Sequence, residues 1–230
     1  MTQIFDVDFA TGYTDGDLNG QNSWNAQGPW DIAGGEAEHT GTFSRARLTG
    51  TTGFRAEIGD VISITLSGLS LAGDGNYAFG AAPTPEHSGA QTPAIREELG
   101  LSGMALTFGG ASVATYMAGD DFDLTLELTR TGADTWTGAT SITYSGSTTS
   151  GAAAPTNLAG SNGASMGLTA GAWMDADPAN DLFFGMRGTS NPNGVLNIDG
   201  VALEVSAVPE PSSIALFLLG AGFAGTRRRR

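Results

Sequence analysis

An all-β fold, an antiparallel β-sandwich of the jelly-roll type, is what the sequence predicts, and three observations carry that prediction. Apolar and polar residues alternate with a period of two in several short runs. Clusters of glycine, asparagine and aspartate separate those runs. Helical spacing is confined to one weak turn in the body of the chain. The strongest run is 122–129, where Phe122, Leu124, Leu126 and Leu128 share one face and Asp123, Thr125, Glu127 and Thr129 the other. That pattern marks a strand with one face buried and one in water.

Taken in order, the predicted strands are 5–9, 61–67, 104–108, 122–129, 136–144, 182–186 and 195–205. Ile62, Ile64 and Leu66 repeat the alternation of the 122–129 run. Turn formers punctuate the strands at Asp74-Gly75-Asn76, Gly109-Gly110, Gly119-Asp120-Asp121 and Asn191-Pro192-Asn193-Gly194, where glycine and Asx residues accept the dihedrals of tight turns. Residues 92–99 read as the one helical turn, with Pro93 at its first position. Residues 145–163, rich in Gly, Ser, Thr and Ala, read as a long loop or insertion. Strand patterns lie on both sides of that stretch, so 1–207 is expected to form one domain.

Composition narrows function. Of 24 acidic and ten basic residues, Glu210 and four arginines lie beyond residue 207, which leaves 23 acids against six arginines and a body charge of −17. Such a surface repels nucleic acid and anionic lipid, so neither is expected as a partner of the body. It attracts cations. The chain has no cysteine, which removes disulfides, thiol catalysis and thiolate metal sites.

The last 23 residues, 208–230, have a separate organisation. Pro209-Glu210-Pro211 ends any preceding strand and holds an extended segment. An apolar run follows over 212–226, with Ile214, Leu216, Phe217, Leu218, Leu219 and Phe223 as its large side chains, and is expected as a short hydrophobic helix. Arg227, Arg228, Arg229 and Arg230 close the chain and fix a cytoplasmic C-terminus. The apolar run would span about 22 Å as a helix, against a hydrocarbon core of about 30 Å, which suits a transient anchor.

In that order the three parts resemble the PEP-CTERM sorting signal of bacterial surface proteins. The resemblance implies recognition of the Pro-Glu-Pro motif by a membrane-embedded exosortase, removal of the anchor, and delivery to the cell surface or extracellular matrix. It also implies that the body is exported. Residues 1–8 have neither a basic n-region nor an apolar h-region, so the export signal is expected upstream of this sequence.

A second resemblance covers the ends of the body. Asp8-Phe9, Gly12-Tyr13, Leu18-Asn19-Gly20-Gln21 and Trp24 resemble the opening of LamG-like, concanavalin-like jelly rolls. Residues 196–204 resemble their closing strand, which returns beside the first. This implies a sandwich fold shared by lectins, glycanases and adhesive modules, so fold alone does not choose among them.

Candidate sites are few. Asp15, Asp17 and Asn19, alternating before Gly20, resemble the first half of an oxygen-ligand calcium loop, and calcium is the candidate cofactor. Ala26 stands where a closing carboxylate would be needed. Asp120, Asp121 and Asp123, and Asp175, Asp177 and Asp181, form further acidic loops. No paired carboxylates have the Glu-x-Asp-x-x-Glu spacing of laminarinase-like glycanases: Glu57 and Asp60 are wrongly spaced, and the neighbours Glu97 and Glu98 fall on opposite faces of a strand. His39 and His87 lie in polar sequence and are expected at the surface. The chain is therefore read as a non-enzyme with a structural or adhesive role and extracellular polysaccharide as candidate ligand. The alternative is a glycanase-like, carbohydrate-active enzyme with a diverged site. Trp24, Trp30, Tyr77, Tyr116, Trp136 and Trp173 are the aromatic residues available to stack on a sugar, with Trp24 and Trp136 also expected in packing.

Overall fold

A computed structural model describes residues 1–41, 43–49, 53–82, 95–102, 105–108, 111–113, 115–133, 135–151, 181–190 and 194–207. The sorting segment 208–230, with its expected helix, lies outside them, as do His87, Trp173, Asp175 and Asp177. No helix among the described residues is long and apolar enough to cross a membrane.

Two antiparallel sheets stack face to face. The larger contains β1 (Thr2–Asp8), β2 (Gly16–Asp17), β4 (Trp30–Ala33), β5 (Glu36–Thr40), β7 (Val61–Ala72), β12 (Asp121–Arg130), β13 (Trp136–Tyr144), β14 (Ser147–Gly151), β16 (Val195–Ile198) and β17 (Gly200–Ser206). The second sheet runs in the order β11 (Ala111–Val113), β10 (Ala105–Phe108), β9 (Ile95–Ser102), β8 (Gly75–Ala82), β15 (Phe183–Ser190), β6 (Ser44–Leu48), β3 (Trp24–Gln27).

The centre of the larger sheet follows the alternation in the sequence. β7 and β12 pair with Leu124 opposite Leu66, Leu126 opposite Ile64 and Leu128 opposite Ile62, and all six are buried. Register shifts between Phe122 and Leu124, where Gly68 takes a φ of 56° and forms a bulge. The 195–205 run is two strands. It breaks at Asp199, so that β16 pairs with the end of β7 and β17 with its beginning. β17 then lies antiparallel to β1, which brings the two ends of the body together.

The aromatic core explains the opening motif. Phe9 packs on Tyr13 and Trp24 at centroid distances of 5.1 and 5.8 Å, and the Trp24 indole N–H donates to the Tyr13 hydroxyl at 2.9 Å. Leu18 is fully buried. The Gln21 amide closes the loop by donating to the carbonyls of Thr14 and Asp17, while its oxygen accepts the Thr14 amide.

Three expectations are corrected. Residues 95–102 form strand β9 between β8 and β10, not a helical turn, because pairing on both edges overrides a weak local preference. Residues 147–151 form strand β14, so the soft stretch begins as a hairpin. His39 is buried: Ala37 and His39 face inward on β5, and the imidazole packs 4.7 Å from Trp30 and 5.9 Å from Tyr77. Gly188 on β15 makes room for it, since a Cβ there would sit 2.4 Å from the ring.

Candidate functional site

Three of the five described aromatic candidates belong wholly to the core, and the other two nearly so. Trp30, Tyr77 and Tyr116 are fully buried, and Trp24 and Trp136 retain only 2% and 5% exposure. None of the five can serve as a surface platform. Trp24 and Trp136 thereby take the packing role expected of them. Each buried ring lies at an inward position of its strand or is drawn in by hydroxyl partners.

The Asp15–Asn19 loop uses its oxygens on the backbone. Asp15 Oδ1 accepts the Gly34 amide at 3.1 Å, Asp17 Oδ1 the Asn19 amide at 2.9 Å, and Asn19 Oδ1 the Ala26 amide at 3.1 Å. Ala26, where a bidentate acid was missing, is thus tied to the loop through its N–H. No group of three histidine or acidic side chains among the described residues converges as a metal site.

The outer faces of the sheets differ in charge. Across the larger sheet a single row runs Asp121, Ser70, Asn197, Glu38, Asp31, Asp17, each opposite the next. Burial, then Asp121, Asp123 and Asp8, raises the Asp199 carboxyl above its ordinary range. Burial, then Asp199, Asp121 and Glu38, does the same to Glu36. The bulge at Gly68 concentrates this charge: its amide donates to Asp123 Oδ1 at 3.0 Å, and the Asp199 carboxylate lies against its Cα.

The second sheet carries arginines instead. Arg45 lies opposite Arg187, and Arg47 opposite Gly185, over which its guanidinium rests. Arg47 has no solvent exposure, and burial, followed by repulsion from Arg45, lowers it to about 9. It remains a cation at neutral pH. Arg187 also donates to Asn76 Oδ1 at 2.9 Å.

A cleft lies where the free edges of the two sheets meet, β11 against β14. Ser145 and Gly146, with φ of 49° and 75°, form the two-residue turn joining β13 to β14 and place Tyr144 opposite Ser147. Ser112, Val113, Thr115, Tyr144, Ser145, Ser147 and Thr149 line a space of about 490 Å³. Six of these seven carry a side-chain hydroxyl, five of them serine or threonine, and none of the seven is charged. Tyr144 is held from behind. Its hydroxyl donates to Asp120 Oδ2 at 2.7 Å and accepts the Met117 amide at 3.3 Å, and its ring packs on Tyr116 at 5.4 Å. The bond to Asp120 raises the phenol above its ordinary range, so it stays protonated.

The sequence reading did not single out this cleft. Its hydroxyl residues have no periodic signature, and only the tertiary meeting of residues 112–115 with 144–149 creates it. The signal at hand was Ser145-Gly146 between alternating residues, a turn dipeptide that announces a hairpin.

Enzymatic constellations gain no support from the described residues. Asp60 Oδ2 accepts the Glu57 amide at 2.8 Å and so closes a turn. A Gly-x-Ser-x-Gly spacing at Gly163, Ser165 and Gly167 lies outside the described residues. No strand pattern precedes it, although a nucleophile elbow requires one.

Residues 207–230 match the PEP-CTERM protein-sorting motif. No curated protein matches the sequence. Among solved structures the chain is similar to a Lotus tetragonolobus seed lectin, at 13% identity and a TM-score of 0.52, with 88% of this chain and 98% of the lectin covered. It is similar to arcelin-5, a lectin-like defense protein from Phaseolus vulgaris, at 9% identity, TM-score 0.52, and coverage of 90% and 100%. The Emp47p carbohydrate recognition domain matches at 10% identity, TM-score 0.51, and coverage of 89% and 96%. At such identities the likeness establishes the fold alone, a concanavalin-like jelly roll of the legume-lectin type.

Proposed function

We propose that this chain is an exported, non-enzymatic, carbohydrate-binding protein with a structural or adhesive role. An exosortase releases it at Pro209-Glu210-Pro211 from a transient inner-membrane anchor formed by residues 212–226. It then resides at the cell surface or in the extracellular matrix, bound to extracellular polysaccharide. The observation that carries this reading is a protein-sorting motif placed directly after a lectin-type sandwich. The motif supports export, and the arginines after the apolar run support a cytoplasmic C-terminus before processing. The sugar-binding part is an analogy of fold with the lectins and the carbohydrate recognition domain. The body's charge suits life outside the cell, where it aids solubility and discourages contact with anionic membranes.

A glycan array read with the purified chain, run beside a reducing-sugar release assay on the same polysaccharides, tests the role. Binding without release is the expected outcome. Release of reducing ends by the chain alone would establish a glycanase and overturn the non-enzymatic role. Failure of every glycan to bind would leave an acidic matrix component and remove the lectin reading.

A further inference from the structure

We infer that the cleft between β11 and β14 is the sugar-binding site and that it selects neutral glycans over uronic or sulfated ones. This inference rests on the carbohydrate-binding reading and supplies its location and ligand chemistry.

The chemistry of the lining matches a sugar on two counts. A sugar ring offers hydroxyls that both donate and accept, and Ser112, Thr115, Ser145, Ser147 and Thr149 offer the same. It also offers a patch of C–H groups, which pack on an aromatic face. Tyr144 supplies that face. Its hydroxyl is already engaged by Asp120 and by the Met117 amide, so the ring is what it presents to a ligand. Tyr116 fixes the tilt of that ring at 59°, which limits the ordering cost of binding. The volume, about 490 Å³, falls within the ordinary range for small-molecule sites.

Charge decides which glycans are admitted. Among the described residues no arginine or histidine lines the cleft to pair with a carboxylate or sulfate, and the titratable group that Tyr144 bonds is the acid Asp120. A polyanion would also approach a body of charge −17. Arg45, Arg47 and Arg187 of the second sheet lie around Gly185 and Asn76 and are not among the residues that line this cleft. Ligands rich in hydroxyls and free of charge are therefore favoured.

Calorimetric titration of the full chain with cellohexaose, laminarihexaose, mannohexaose and xylohexaose, beside oligoguluronate as the anionic probe, tests the assignment. At least one neutral probe should bind, and oligoguluronate should bind at least about tenfold more weakly or not at all. Tyr144→Ala should weaken neutral binding about tenfold or more, whereas Tyr144→Phe, which keeps the ring, should stay within about threefold. Ser147→Glu, at an exposed position, should block the cleft without disturbing the core, so the result does not depend on the Tyr144→Ala protein folding. Neutral binding that survives both Tyr144→Ala and Ser147→Glu would overturn the cleft and leave the lectin reading intact. Tighter binding of oligoguluronate would overturn the neutral selectivity. No binding of any probe, with none on the array, would overturn both readings.

Discussion

Replacing Tyr116 by phenylalanine removes one oxygen and unties three backbone groups. The phenol accepts the Leu71 amide at 2.8 Å, donates to the Asp120 carbonyl at 2.8 Å, and lies 3.2 Å from the Leu71 carbonyl. Burial raises its pKa above the ordinary phenol range, so the hydroxyl keeps its proton at neutral pH. Phenylalanine would fill the same space, leaving the packing on Phe122 at 5.5 Å unchanged. The cost is then the stranded Leu71 N–H, about 1–3 kcal/mol for a buried donor without an acceptor. About 2 kcal/mol corresponds to a melting temperature lower by roughly 4–8 °C for a chain of this size. Thermal unfolding followed by fluorescence of the buried tryptophans gives the number directly. Hydrogen exchange should quicken at the amides of Leu71 and of Gly119, which donates to the Leu71 carbonyl at 2.8 Å. A variant melting within about 1 °C of the parent, with unchanged exchange at both amides, would refute the reasoning.

Other perturbations follow from the same contacts. Gly188→Ala drives a methyl into the His39 ring and should cost about 1–3 kcal/mol, seen as a lower urea midpoint; an unchanged midpoint would mean the ring has room to move. Arg130 donates to the carbonyls of Ala56, Gly132 and Ala133, so Arg130→Met should destabilise by about 2–4 kcal/mol in the same assay. The raised carboxyls of Asp199 and Glu36 mean that the folded state holds their protons more tightly than the unfolded chain. Their contribution is therefore most favourable below pH about 4 and is lost as pH rises through the folded-state values. Asp199→Asn should raise the urea midpoint at pH 7.5 and flatten its decline from pH 4.5, and a lowered midpoint would contradict this. Millimolar calcium is expected to raise the melting temperature beyond a sodium salt of matched ionic strength if Asp15, Asp17 and Asn19 take the ion, and Asp17→Asn should abolish the difference. Equal shifts in both salts would remove calcium from that loop.

How legible each element was depends on how many faces it buries. β7, β12 and β13 are long, and the alternation of Ile62, Ile64 and Leu66 or Leu124, Leu126 and Leu128 writes one buried face directly into the sequence. Short strands have no room for a period. Ser44–Leu48 is buried at all five positions, including Arg45 and Arg47, and so reads as neither pattern. In Ile95–Ser102, two glutamates and an arginine suggest a helix until neighbours on both sides impose pairing. His39 was misplaced because its burial depends on Gly188, which lies far away in the sequence but close in the fold. The same limit governs the cleft. The strand ending at Tyr144 was legible, but a surface made by two strand edges exists only once the sheets are stacked.

The most direct test of the central claim, that a lectin-type body is exported and cut free at its sorting motif, is mass spectrometry of the native protein recovered from the cell surface and the medium. The account predicts a C-terminus at or near Pro209, Glu210 or Pro211, with residues 212–230 missing. A secreted or surface-bound protein that still ends at Arg230 would contradict it.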